Sequence, residues 1–214
     1  MNLHSHIDLA FPVRGRTIPR DHGYALYGAL SRHVPSVHGA SWIGIHGISG
    51  RSLKPEAVTL EPFGALRVRV PTDKISMLLA LAGATIEVSG LPVEIGAPTV
   101  HALTPVAALD ARLVVIRLTG GIAKPFDSAE FEKRFVAEAQ RQLVEHGIRG
   151  DLEICGRQSL SVGGQRVLGH SVRVLGLSPE DSIKLQIQGI GGKRTMGCGL
   201  FRPARIKTKV QQVA

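Results

Sequence analysis

Four of the chain's nine histidines, His22, His33, His38 and His46, fall between positions 22 and 46. The other five, His4, His6, His101, His146 and His170, are scattered. With an unperturbed pKa of about 6.5, histidine gives and takes protons at neutral pH. Acting on a ribonucleotide, such a base removes the 2′-OH proton. The oxygen then attacks the neighbouring phosphorus, expels a 5′-OH and leaves a 2′,3′-cyclic phosphate, with no metal required. A metal centre fits the four histidines less well. They form no His-x-x-x-His or His-Glu-x-x-His pattern on a helix, and Asp21 is the one carboxylate beside them.

The second chemically suggestive stretch runs from Gln188 to Phe201. Five of its fourteen residues are glycine, and Lys193 and Arg194 lie between the glycine clusters. Glycine lets a ligand approach the backbone, so Gly189, Gly191 and Gly192 are expected to present N–H groups to an anion while the two cations supply charge. The context argues against a mononucleotide. A P-loop or dinucleotide fingerprint follows a strand and opens a helix. Here Ser178 and Pro179 mark a helix start, so the glycines follow a helix instead. A polynucleotide backbone is the ligand that remains, with a flexible hairpin carrying two solvated cations as the bland reading.

These stretches need elements to hold them. His6 to Val13 alternates as a strand. A helix with Asp21 as N-cap runs to about His33 on the stripe Ala25, Leu26, Ala29 and Leu30, and Val34-Pro35 ends it. Ala57–Leu60 and Ala65–Val70 read as paired strands, with Arg67 and Arg69 on the face opposite Leu66, Val68 and Val70. A helix through Ile75, Leu78 and Leu81 follows, then strands at Thr85–Val88, Pro92–Ile95 and Thr99–Leu103. The order repeats. A strand at Leu113–Leu118 and Gly120-Gly121 precede a long helix from Asp127 to His146, with Phe131, Phe135, Ala139 and Leu143 four apart and Gly147 closing it. Strands from Leu152 and from Gln165, the Ser178 helix and a final strand at Leu200–Arg205 complete the set. The expected class is therefore α+β, with tandem ferredoxin-like (split βαβ) halves. The halves are residues 1–107 and 108–206, followed by a basic tail at 207–214.

The 214 residues carry a formal charge of +9 and a pI of about 10.2, which favours polyanionic partners. Arg67 and Arg69 are candidate guides for a single strand, or simply a solvated strand face. An RNA-recognition module of the aromatic type is not indicated, because the chain has few aromatics. No apolar run reaches membrane-span length and the first residues do not read as a signal peptide, so no membrane partner is expected. Cys155 and Cys198 have no metal-ligand spacing and read as reduced thiols of a cytoplasmic protein.

At this point the residues carry a resemblance. Asp21-His22-Gly23-Tyr24-Ala25-Leu26-Tyr27-Gly28-Ala29-Leu30, followed by Val34-Pro35-Ser36-Val37-His38, resembles the first helix and loop of the CRISPR-associated repeat-processing endoribonucleases. Gly189-Ile190-Gly191-Gly192-Lys193-Arg194-Thr195-Met196-Gly197-Cys198-Gly199 resembles the C-terminal glycine-rich signature of the same RAMP superfamily. The wording and length are most similar to the compact MYXAN-subtype branch. The resemblance implies a metal-independent endoribonuclease, without cofactor, that cuts CRISPR transcripts within the repeat, beside a stem-loop. Members often keep the product and join an effector complex. It implies a catalytic role for His38, which matches the family's histidine after the first helix. His22 matches a histidine at the helix start, catalytic or structural. The glycine loop, read from its own residues, is expected to hold the RNA backbone. The sequence departs where some members carry a tyrosine late in the helix, here Ser31, and a lysine soon after the histidine, here absent until Lys54. Tyr24, Tyr27, His33 and His46 are the candidates for the second group. A non-catalytic RNA-binding subunit and a metal-dependent nuclease are the alternatives.

Overall fold

The computed structural model describes residues 5–118 and 127–204. The first half begins with β1 (His6–Arg14) and the short β2 (Thr17–Pro19), then α1 (Gly23–His33). Next come β3 (Gly44–Ile45), β4 (Arg51–Lys54), β5 (Ala57–Thr59) and β6 (Ala65–Pro71). A single α-turn, α2 (Ile75–Leu78), is flanked by 3₁₀ turns, and β7 (Thr85–Val88), β8 (Leu91–Ile95) and β9 (Thr99–Ala102) follow. The second half comprises β10 (Leu109–Val114), α3 (Ser128–Glu145), β11 (Asp151–Val162), β12 (Gln165–Leu175), α4 (Pro179–Gln188) and β13 (Phe201–Pro203).

The strand order identifies the architecture. In the second half it is β11-β12-β10-β13. Numbered within the βαββαβ unit this is 2-3-1-4, the antiparallel ferredoxin-like arrangement. In the first half β3, β6, β1 and β9 lie in the same relation, with β1 pairing both β6 and β9. Three insertions decorate that half. The β7–β8 hairpin joins the far end of β1, while β2, β5 and β4 form a separate small sheet. The expected pairing of the 57–60 strand with the 65–70 strand is corrected here. β5 pairs β2 and β4, and β6 pairs β1 and β3. A turn of Glu61, Pro62, Phe63 and Gly64 separates the two strands, and the backbone of Gly64 packs against Leu60 and Val13 so closely that a Cβ would collide.

Side-chain periodicity explains the cores. Leu66, Val68 and Val70 of β6 face Leu9 and Phe11 of β1 and Leu26 and Leu30 of α1 in one apolar cluster. Phe131, Phe135, Ala139 and Leu143 of α3 cover β10 and β12 in another. The ends of α3 and α4 follow local chemistry. Asp127 caps α3 by accepting from the N–H groups of Ala129 and Glu130. Ser178 caps α4 by accepting from Asp181, with Pro179 in the first turn. Asp21 does not cap α1. His22 occupies that position, and the Asp21 carboxylate accepts from the Ser161 N–H of the other half. Gly120, Gly121 and the basic tail lie outside the described residues.

Candidate nucleic-acid interface

α1 sets the geometry, because its two ends carry different chemistry. At its C-terminal end the chain turns through a 3₁₀ segment, Pro35–Val37, and buries Val37. This leaves His38 exposed, its ring nearly parallel to Tyr27 at 17°, with centroids 6.2 Å apart. The Tyr27 hydroxyl accepts from the Gly39 N–H at 3.0 Å, which ties the loop after His38 to the helix. Tyr24, Tyr27, Gly28, Ser31 and His38 line a groove of about 530 Å³ whose far wall is Glu87, Ser89 and Gly90 of the β7–β8 hairpin. His38 and Tyr27, both singled out in the sequence, thus meet in one place, with Tyr24 on the same helix face.

The other histidines near α1 are differently occupied. His22 is buried; its Nδ1 donates to the Pro19 carbonyl at 2.7 Å and its Nε2 accepts from the Ile48 N–H at 2.8 Å. Burial outweighs the help of that carbonyl and holds its pKa below the ordinary value. With both nitrogens committed to backbone, His22 has none for a substrate, and the catalytic expectation for it is corrected to a structural one. His46 is also buried, and desolvation, with Arg69 beside it, pushes its pKa down to about 3 despite Asp8. His33 is exposed and meets the Ala80 carbonyl at 3.1 Å. Of the four candidates for a second group, the two tyrosines are the ones beside His38.

At the other end of α1 lies a basic groove of about 660 Å³, between the small β2–β5–β4 sheet and the long β11–β12 hairpin. Its arginines are Arg20, Arg112, Arg157 and Arg166, from both halves, accompanied by Asp21 and Glu56. Arg20 ties the small sheet together through the Pro55 and Lys54 carbonyls and the Ser52 hydroxyl. Arg166 donates its Nε to Ser159. None of these four arginines was singled out in the sequence. They come from strands far apart in the chain, and a single surface arginine carries no signal of its own.

The glycine loop lies beside this groove, but its backbone is turned inward. Gly189 donates to the Leu185 carbonyl, Gly191 to Gln142 Oε1, Gly192 to Val115, Gly197 to Arg194 and Gly199 to Leu113. The expectation that these N–H groups face an anion is therefore corrected: all five are used within the protein. The glycines serve close packing instead. A Cβ on Gly189 would lie 2.0 Å from the Gly199 oxygen, and one on Gly191 would lie 2.4 Å from the Val115 oxygen. Gly23, at the start of α1, has the same relation to the Met196 oxygen, at 2.4 Å, so the loop is pressed against the helix.

The charges divide similarly. Lys193 is half-buried with a left-handed backbone at φ 62°, and remains a candidate contact. Arg194 donates to the Ile187 carbonyl at the end of α4, and burial lowers its pKa to about 10. Arg67 is partly exposed, 3.6 Å from Asp8. Arg69 is 1% exposed, so the expectation that it guides a strand in solvent is corrected. Strand alternation placed it off the first core, and the second half covers that face. Both cysteines are free, Cys155 exposed and Cys198 buried. Among the described residues, no three His, Cys, Asp or Glu side chains cluster to hold a metal ion.

Comparison with known proteins shows the family and the fold. The Cas6 CRISPR family model matches residues 7–206. The chain belongs to the Cas6 family. A curated Cas6 relative, the CRISPR-associated endonuclease of Myxococcus xanthus (strain DK1622), is 40% identical over 210 residues, covering 98% of this chain and 86% of that protein. A solved CRISPR-associated protein Cas6 shares the fold at a TM-score of 0.67 and 11% identity, over 94% of this chain and 99% of that one. A Thermus thermophilus Cse3, solved with an RNA representing a pre-cleavage complex, has a TM-score of 0.52 and 17% identity, over 94% of this chain and all of that one. The Cas6 fold thus spans both halves, with the His38 groove and the basic groove at the two ends of α1. No helix among the described residues is long and apolar enough to cross a membrane.

Proposed function

We propose that this Cas6-family chain is an endoribonuclease that cuts CRISPR repeat RNA next to a stem-loop, without a metal, and leaves a 2′,3′-cyclic phosphate. The observation that carries this reading is the placement of His38 and Tyr27 at one end of α1 and of the arginine-lined groove at the other. α1 has 11 residues, about 16 Å at 1.5 Å per residue. Backbone phosphates held in the basic groove leave the next few nucleotides to run along the Tyr24–Tyr27 face toward His38. The M. xanthus relative, named an endonuclease, and the RNA-bound Cse3 support both the activity and the substrate.

In this mechanism His38 removes the 2′-OH proton and the resulting oxygen attacks the adjacent phosphorus. The P–O5′ bond breaks, and the leaving oxygen takes a proton. Tyr27 is placed to give it, since its hydroxyl uses a lone pair for the Gly39 N–H and keeps its own proton. Lys193, Arg112 and Arg166 face the phosphates, and Arg67 lies farther off on β6. Among the described residues the groove is lined by no aromatic side chain, which suits a grip on backbone rather than on stacked bases. Other CRISPR effector subunits are the natural recipients of the product.

The test is cleavage of the cognate repeat RNA by the whole protein in EDTA. One cut ending in a cyclic phosphate, blocked by a single 2′-deoxy substitution at the cut site, is expected. Cutting that survives the substitution, or that stops in EDTA and returns with a divalent ion, contradicts the mechanism. Tight binding with intact RNA identifies a non-catalytic subunit instead.

A further inference from the structure

Of the five glycine N–H groups turned into the protein from the glycine loop, four end on main-chain carbonyls. The fifth, from Gly191, ends on a side chain: Gln142 Oε1 of α3, at 2.7 Å. The amide of Gln142 is oriented by a second bond, because its Nε2 donates to Glu138 Oε1 at 2.9 Å. A carboxylate only accepts, and a backbone N–H only donates, so the amide has one orientation that satisfies both. Glu138 is held in turn by Arg141, which donates at 2.7 and 2.8 Å and also reaches Glu145 at 3.1 Å. These bonds, Arg141 first and Gln142 second, draw the Glu138 pKa down to about 2. The relay stays intact through the whole neutral range.

We propose that Gln142 is a positioning residue for RNA binding: from α3 it fixes the entry of the glycine loop and thereby the place of Lys193. The inference rests on the RNA reading above. Gly191 has φ 75° and packs on the Val115 oxygen, so the loop has no slack at that point. Two residues later Lys193 takes a left-handed conformation, which is unfavourable for a non-glycine residue and persists only where the surroundings impose it. Its carbonyl accepts from Met196 and Cys198, closing the turn that abuts α1. Every other anchor of the glycine backbone is main chain. The Gln142 bond is the one among the five glycine anchors that a side-chain substitution removes directly.

The test uses the full protein, a labelled hairpin of its cognate CRISPR repeat, and the backbone amide spectrum. Gln142→Leu removes the acceptor and is expected to weaken hairpin binding about tenfold, while the single-turnover rate at saturating RNA stays within about twofold. The Gly191 amide proton shifts upfield. Gln142→Glu alone sets two carboxylates against each other and weakens binding too. Adding Glu138→Gln to Gln142→Glu restores one amide and one carboxylate in exchanged places. It is expected to return both the affinity, to within about threefold, and the Gly191 resonance. Wild-type affinity in Gln142→Leu overturns the proposal, as does an exchanged pair no better than Gln142→Glu. If wild-type protein lacks affinity for the hairpin, the RNA reading and the binding role fall together. The Gly191 resonance then separately supports or overturns Gln142 as the residue that sets the loop.

Discussion

Arg69 donates to both carboxylate oxygens of Asp8, at 2.8 and 3.0 Å, and its remaining nitrogen reaches the carbonyls of Gln186 and Phe201 at 2.6 and 2.7 Å. One buried guanidinium thus joins β1 and β6 of the first half to α4 and β13 of the second. The Gln186 carbonyl lies in the last turn of α4, where the helix dipole favours a cation. Burial disfavours the charge on Asp8, but Arg69 outweighs it and holds the carboxyl below its ordinary pKa. Arg69→Met leaves that buried carboxylate with only the looser contact to Arg67 at 3.6 Å, and is expected to cost about 3 kcal/mol. Asp8→Leu in the same chain should recover part of the loss. Urea midpoints of the two variants measure both effects.

The glycine loop gives a contrast between neighbours. Gly191→Ala meets the Val115 oxygen at 2.4 Å with φ at 75°, whereas a Cβ on Gly192 meets nothing within 4 Å. Gly191→Ala should destabilise the protein by at least about 1–3 kcal/mol, and Gly192→Ala by less than about 1 kcal/mol. Thermal melts of the two variants side by side check this.

Stability should fall as the pH drops below neutral. Burial depresses the pKa values of His22, His46 and His170, so the unfolded chain takes up protons that the folded chain refuses. Stability held by a depressed histidine is complete above its unfolded pKa of about 6.5. It is lost by about 1.4 kcal/mol per pH unit per group as pH falls toward the folded value. For His46 that window runs down to about 3. His46→Leu should therefore flatten the slope of stability between pH 6 and 4 by about one proton. Urea titrations at several pH values decide it.

The basic groove is expected to show in salt dependence. Arg112→Ala and Arg166→Ala should each reduce the slope of log affinity against log salt by roughly one, with Lys193→Ala alike. Arg194→Ala should lower the melting temperature instead, since its guanidinium is spent on the Ile187 carbonyl. Binding isotherms of the repeat hairpin at several salt concentrations separate the two behaviours.

Local signals were legible wherever chemistry is local. The Asp127 and Ser178 caps, the Phe131–Leu143 stripe and the strand-helix-strand-strand-helix-strand order of the second half stand in the sequence as in the fold, although its first strand is Leu109–Val114 and not 113–118. Three features were not. Alternation puts Arg69 on the back of β6, but nothing in that strand tells which surface is covered by another half. The glycines of 189–199 signal close approach to backbone, and the partner proved to be the protein's own carbonyls rather than a ligand. The groove arginines come from the end of β2 and from β10, β11 and β12, so only the assembled sheets bring them together.

In the proposed mechanism, binding and cutting sit at opposite ends of α1. The most direct measurement is a pair of assays on His38→Ala with the cognate repeat hairpin: equilibrium affinity, and single-turnover cleavage in EDTA. The mechanism predicts affinity within about twofold of wild type and a cleavage rate lower by about 10²–10⁴-fold, the usual worth of a general acid or base. Cleavage at the wild-type rate, or an affinity that collapses with the activity, contradicts it.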